Sequence, residues 1–209
     1  MKKGKISNLV ECAIMVALAV VLDVICGLIP GFKWFWGYGG SISIGMLPLV
    51  FISFRHGWKW GGACSLVYAV IQMLLGFYAP PVQTFGFFVL CILLDYIIGF
   101  GVLGLADGFA KPFGNRRVLG YGVSCAIVCV LRFASSFLSG VLVFNSNFYV
   151  EAGDKVPTLI NAISDSGAWI YSLTYNGSYM LANAIINPIL IVLLCLAIDP
   201  RTLKKYKKQ

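Results

Sequence analysis

Long apolar windows separated by short polar breaks fill most of the chain, and six of them approach the length of a membrane crossing. A hydrocarbon core about 30 Å thick needs roughly 20 apolar residues of helix to span it. The pattern predicts spans over 8–29, 42–54, 61–78, 84–110, 118–143 and 166–197, the second short enough to be tilted, broken or partly embedded. The first run, Leu9 to Pro30, is too long for the apolar part of a signal peptide and reads as the first span.

Composition agrees: 59% apolar and 11% charged residues in 209 are far from the usual globular mix. The expectation is one all-α integral membrane domain, residues 1–209, with six transmembrane helices. The net charge of +8 suggests nucleic acid only until its distribution is seen. Lys2, Lys3, Lys5, Arg55, Lys59, Lys111, Arg116, Arg117, Arg201, Lys204, Lys205, Lys207 and Lys208 fall on one side of the predicted membrane, and Lys33 and Lys155 on the other. The positive-inside rule then puts both termini in the cytoplasm, with outer loops near 30–41, 79–83 and 144–165. The charge reports topology, and no nucleic-acid role follows. Trp34, Trp36, Tyr38, Tyr78, Tyr149 and Trp169 gather at the outer interface.

The seven cysteines, at 12, 26, 64, 91, 125, 129 and 195, lie in or beside apolar spans without a histidine nearby, which favours small core residues over a metal site. No metalloprotease pair, GxSxG elbow, P-loop or acidic cluster is present, so the chain does not read as an enzyme. "NGS" at 176–178 fits a glycosylation pattern but lies inside the sixth span.

Polar groups at membrane depth remain. A central charge costs about 2.5 to 3.5 kcal/mol on insertion scales, so such groups are functional by default. Asp95 and Tyr96 sit in "CILLDYIIGF"; Arg132, Ser135, Ser136 and Ser139 recur along the fifth span; Tyr171, Tyr175, Asn176, Ser178, Tyr179 and Asn183 stripe the sixth. Structural readings stand beside this: an Asp95–Arg132 ion pair, serines at helix contacts, and Asn183 or Asn187 as interhelical hydrogen-bond donors. Asp23 and Glu11 in the first span fit either role. Asp95, Tyr171 and Asn176 would together make a small polar cavity walled by aromatics, suited to a small heterocyclic ligand.

"GGSISIGMLPLVFISFRHGWKWG" at 39–61, "LLDYIIGFGVLGLADGF" at 93–109 and "YSLTYNGSYML" at 171–181 resemble the thiamin-specific S components of energy-coupling factor (ECF) transporters, in the same order over nearly the whole chain. The resemblance implies a six-helix vitamin-binding subunit of the bacterial cytoplasmic membrane. It would bind no cofactor itself and would dock on a transmembrane coupling protein carrying two ATPases, which use the ATP. It implies ligand contacts from Asp95 (often Glu in the family), Tyr96, Tyr171 and Asn176, with an aromatic of the 34–38 loop, Trp34, as a lid. The family usually has histidine and tryptophan in the fifth helix where this chain has Ser136 and Phe144. That departure leaves open a thiamin precursor or another small heteroaromatic vitamin. In the first helix Ala13 and Ala17, joined by Ala19, match the small-residue face by which S components dock. A self-sufficient carrier or channel is the rival class; it would show internal repeats or a continuous polar path, and no clear repeat is seen.

Overall fold

The structure is a computed structural model, and it describes residues 3–32, 40–80, 85–114, 117–144 and 166–200. Six helical segments run through them: α1 Lys3–Leu28, α2 Leu47–His56, α3 Trp58–Gly76, α4 Phe85–Phe113, α5 Arg117–Phe144 and α6 Ser166–Ala197. Four of them, α1, α4, α5 and α6, are long and apolar enough to cross a membrane. The large apolar side chains left exposed on them, such as Ile14, Val130, Leu181 and Leu193, are what a hydrocarbon solvent permits.

The second predicted span needs correction. Residues 42–46 are not helical; α2 begins at Leu47, with Pro48 in its first turn, and reaches His56. Proline suits a first turn because its missing N–H would be unpaired there anyway. The segment before it is held by α6 instead. Asn183 accepts from the Ser43 N–H at 2.9 Å and donates to the Ser41 carbonyl at 3.0 Å, and Asn187 donates to the Ser43 carbonyl at 3.1 Å. A single residue, Gly57, joins α2 to α3 at φ 91°, a conformation that favours glycine.

Glycines also let α3 and α4 touch. A Cβ on Gly104 would overlap the backbone of Gly61 and Gly62. Ser53 secures this crossing from α2: its hydroxyl donates to the Gly104 carbonyl at 2.6 Å and accepts from the Asp107 N–H at 3.1 Å. The local backbone accordingly tightens into a 3-10 turn over Val102–Leu105. α5 and α6 pack along much of their length, and Gly140 permits the approach, since a Cβ there would overlap Ser172.

Ion pairs collect at one end of the bundle. Arg55 and His56, closing α2, meet Glu11 of α1 at 2.5 and 2.8 Å; Lys111 meets Asp107 at 3.6 Å; Arg117 meets Asp199 at 3.9 Å. Glu11 is thereby a structural residue.

Candidate functional site

At the opposite end, α1, α3, α4, α5, α6 and the segment beginning at Gly40 surround a cavity of about 190 Å³. Two helices change pitch beside it. α4 widens to a π-helix over Ile92–Ile98, carrying Asp95 and Tyr96, and α5 does so over Gly140–Phe144. Such turns are frequent at functional sites because they turn side chains off the regular helical face.

One wall is aromatic. Tyr171 and Tyr175 stack at 6.1 Å with planes 10° apart, Tyr179 meets Tyr175 edge-on at 6.0 Å, and Tyr78 faces Phe144 at 5.6 Å. Gly40 N–H donates to the Tyr175 hydroxyl at 3.0 Å, and a Cβ on Gly40 would come within 2.5 Å of the Tyr179 ring. Only glycine lets the backbone lie so close to that wall.

Asp95 is half-buried beside it. One of its oxygens accepts from the Ser139 hydroxyl and from the Cys91 thiol, the latter at 3.7 Å. Among the described residues no cationic side chain lies within ion-pairing distance of Asp95, and none of the carboxylates reaches Arg132. The Asp95–Arg132 pair is therefore not formed. The Arg132 guanidinium lies over the Phe100 ring at 4.4 Å instead.

The predicted site residues Asp95, Tyr96, Tyr171, Asn176, Ser136 and Phe144 all line this cavity; Trp34 lies outside the described residues. Their polar atoms are not equally available. Tyr96 spends its hydroxyl on the end of α3, donating to the Gly76 carbonyl at 3.3 Å and accepting from the Tyr78 N–H at 3.2 Å, so it offers the cavity mainly its ring. Asn176 accepts from Tyr179 at 2.8 Å and donates to Ser172 at 3.1 Å, and Ser172 in turn donates to the Phe137 carbonyl at 2.6 Å. Asn183 and Ser178 of the same stripe turn elsewhere, Ser178 donating to the Tyr175 carbonyl at 2.7 Å. Ser135 donates to the Leu94 carbonyl at 2.5 Å, a helix contact.

Asp23, which the sequence left between a structural and a ligand role, and Gln72 and Phe100, which it did not single out, complete the cavity. Asp23 reaches in from α1 and accepts from Gln72 of α3 at 2.8 Å; Gln72 also donates to the Tyr68 hydroxyl at 2.5 Å. Asp23 and Gln72 carried the same signal as Asp95, a polar residue in an apolar run, whereas Phe100 carried none. The cavity thus gathers carboxylates, one guanidinium and several aromatic faces, a set suited to a flat ligand carrying positive charge.

Residues 9–203 match the family described as Thiamine transporter protein (Thia_YuaJ). The chain belongs to the thiamine transporter family. It is 35% identical over 210 aligned residues to the thiamine transporter ThiT of Bacillus subtilis, across 96% of this chain and 95% of that one. The solved structure of ThiT from Listeria monocytogenes superposes with a TM-score of 0.66 at 22% identity, covering 94% of this chain and 97% of that one, and shows the shared fold. Members of this family are transporters, and with its apolar helices the chain is a multi-pass protein of the cell membrane.

Two family-based expectations concern α1. Ala13 and Ala17 are exposed among Val10, Ile14 and Leu18, on a face that no described helix covers. Ala19 does not join them: it is fully buried, its carbonyl facing Gly45. Two residues beyond Ala17 is a turn of about 200° on a 3.6-residue helix, which carries Ala19 to the far side.

Proposed function

We propose that this chain is the thiamin-binding S component of an ECF transporter, capturing the vitamin for uptake driven by ATP hydrolysis in partner subunits. The observation that carries the reading is the cavity, where the Asp95 and Asp23 carboxylates share a space with the Tyr171, Tyr175 and Phe144 rings. Thiamin joins an aminopyrimidine to a permanently charged thiazolium. A carboxylate offsets that charge or accepts from the amino group, and each aromatic face adds about 0.5 to 2 kcal/mol by cation–π attraction. Asp95 supplies the charge partner in this reading, Tyr171 and Tyr175 the stacking wall, and Asn176, Ser136 and Tyr96 the shape. The basic end of the bundle faces the cytoplasm, as the positive-inside rule requires, so the cavity faces outward. Ala13 and Ala17 form the docking face for the coupling protein, which carries two ATPases.

Ser136 and Phe144 favour a second reading. Both line the cavity at positions where the family usually has histidine and tryptophan, which suits a thiamin precursor or a related heteroaromatic vitamin.

The test is identification of the bound molecule: purification from rich medium, denaturation, and mass spectrometry of what is released, followed by calorimetry with thiamin. Released thiamin and saturable binding support the first reading; a different heteroaromatic cation supports the second. Uptake of radiolabelled thiamin with no coupling protein or ATPases present would instead mark a self-sufficient carrier.

A further inference from the structure

The wall that α6 presents to the cavity has a back. Gly177 and Leu181 each follow a cavity tyrosine, Tyr175 and Tyr179, by two residues, a turn of about 200° that carries them to the far face of the helix. There they meet Val130 and Phe133 of α5 around a groove of about 350 Å³ that runs on to Ala184. Cys129 and Met180, 1% and 3% exposed, lie deepest in it. The groove is open: Val130 and Leu181 are 57% and 65% exposed, and a Cβ on Gly177 would meet nothing within 4 Å. None of the side chains that line it carries a charge, a hydroxyl or an amide.

Depth and continuity say what covers it. α6 starts at Ser166, at the cavity end, and Trp169 in its first turn is exposed, as tryptophans at a membrane–water interface are. Gly177 and Ala184 lie about 12 and 22 Å further along the helix. One leaflet of a hydrocarbon core about 30 Å thick is about 15 Å deep, so the groove spans the depth at which the lipid chains of the cavity-side leaflet end. A row of rings leads down to it: Trp169 meets Phe137 at 5.4 Å, and Phe137 meets Phe133 at 5.7 Å. The groove is also continuous with the lipid-facing surface to which Val130 and Leu181 belong. A packed helix suits it poorly, because close helix contact needs small residues in a row, and Leu181 stands out between Gly177 and Ala184 with Val130 exposed on the facing helix. A flexible chain passes between them.

We propose that the α5–α6 groove binds the terminal half of an acyl chain from a lipid of the leaflet on the cavity's side, without regard to headgroup. Bare backbone at Gly177 and the adaptable thioether of Met180 accept a chain that has no fixed shape. Asn176 and Tyr179, the neighbours of Gly177 and Met180, line the cavity, so the chain packs against the back of the ligand wall.

The experiment is photo-labelling of the full chain in phosphatidylcholine vesicles that contain a trace of a phosphatidylcholine with a diazirine at the end of one chain, the labelled residues being located by mass spectrometry. Label on 129–133 and 177–184 is expected to exceed label around the lipid-facing Ile14 of α1 at least fivefold. A probe with its diazirine beside the carbonyl labels near Trp169 and spares the groove, and a phosphatidylglycerol probe repeats the phosphatidylcholine pattern. Gly177→Leu, which fills the groove from a position with room for a side chain, lowers groove label at least threefold; Gly86→Leu, at an equally open position on α4, does not. Even label on all four spanning helices overturns the proposal and leaves an ordinary lipid shell, as does unchanged groove label in Gly177→Leu with the melting temperature preserved. A groove without label beside a labelled α1 overturns it too, since protein would then cover the groove, and light scattering in detergent would show whether that protein is a second copy.

Discussion

A carboxylate at membrane depth is retained only where something nearby lowers its cost, and Asp95 obtains that from hydrogen bonds of Ser139 and Cys91, with no arginine in ion-pair contact among the described residues. Those neighbours are neutral, and in the proposed function a cationic ligand offsets its charge. Asp95→Asn is expected to weaken thiamin binding at least tenfold in calorimetry while insertion and melting stay near the parent; unchanged binding with a lowered melting temperature would make Asp95 a structural residue. Asn176→Ala is expected to cost about 1 to 3 kcal/mol, since it strips partners from Tyr179 and Ser172 in a buried network. It should lower the melting temperature as well as affinity, and a loss of affinity alone would mean that the amide meets the ligand directly. Asp95, Tyr171, Ser136 and Phe144 were legible in the sequence, the first two as polar side chains in apolar runs and the others by family position. The difference between a polar atom offered to the cavity and one spent on the protein was not legible: Tyr96 and Asn183 are both polar side chains in apolar runs, and only the packed neighbours show that each spends its polar atoms on the protein.

Among the elements, α6 runs over Ser166–Ala197 as predicted, because no charged residue interrupts it despite its polar stripe; α2 starts later than predicted, because Ser43 satisfies its backbone against Asn183 and Asn187, and Ile42 donates to the Phe32 carbonyl, rather than in a helix. Hydrophobicity records burial here, not conformation. The α3–α4 crossing depends on bare backbone, so Gly104→Ala is expected to destabilise the protein by about 1 to 3 kcal/mol, the usual cost of overpacking. Gly108, whose added Cβ would meet nothing within 4 Å, is the control. Thermal melting in detergent compares them, and equal melting of the two variants would mean that the crossing relaxes freely.

At the scale of the whole molecule, the cavity and the ion-paired end are separated along the bundle, and α1 runs between them with Ala13 and Ala17 exposed. Bulk added on that face should obstruct a partner without reaching the cavity. Ala13→Trp and Ala17→Trp are expected to keep thiamin binding on the purified chain and lose uptake in cells that also express the coupling protein and ATPases; normal uptake by both, with expression confirmed, would remove α1 as the docking surface. The separation also bears on the π-helical stretches. Each holds about one residue more than an α-helix of the same height, and one residue corresponds to about 100° of rotation. The outer and inner halves of α4 are thus out of phase with each other, as if the helix had been cut and reset by a quarter turn at Ile92–Ile98. Deleting the outward-facing Leu93 would bring the halves back into phase: α4 would remain a helix of spanning length, the inner half would keep its packing on α3, and the segment above would swing Cys91 out of line with Asp95.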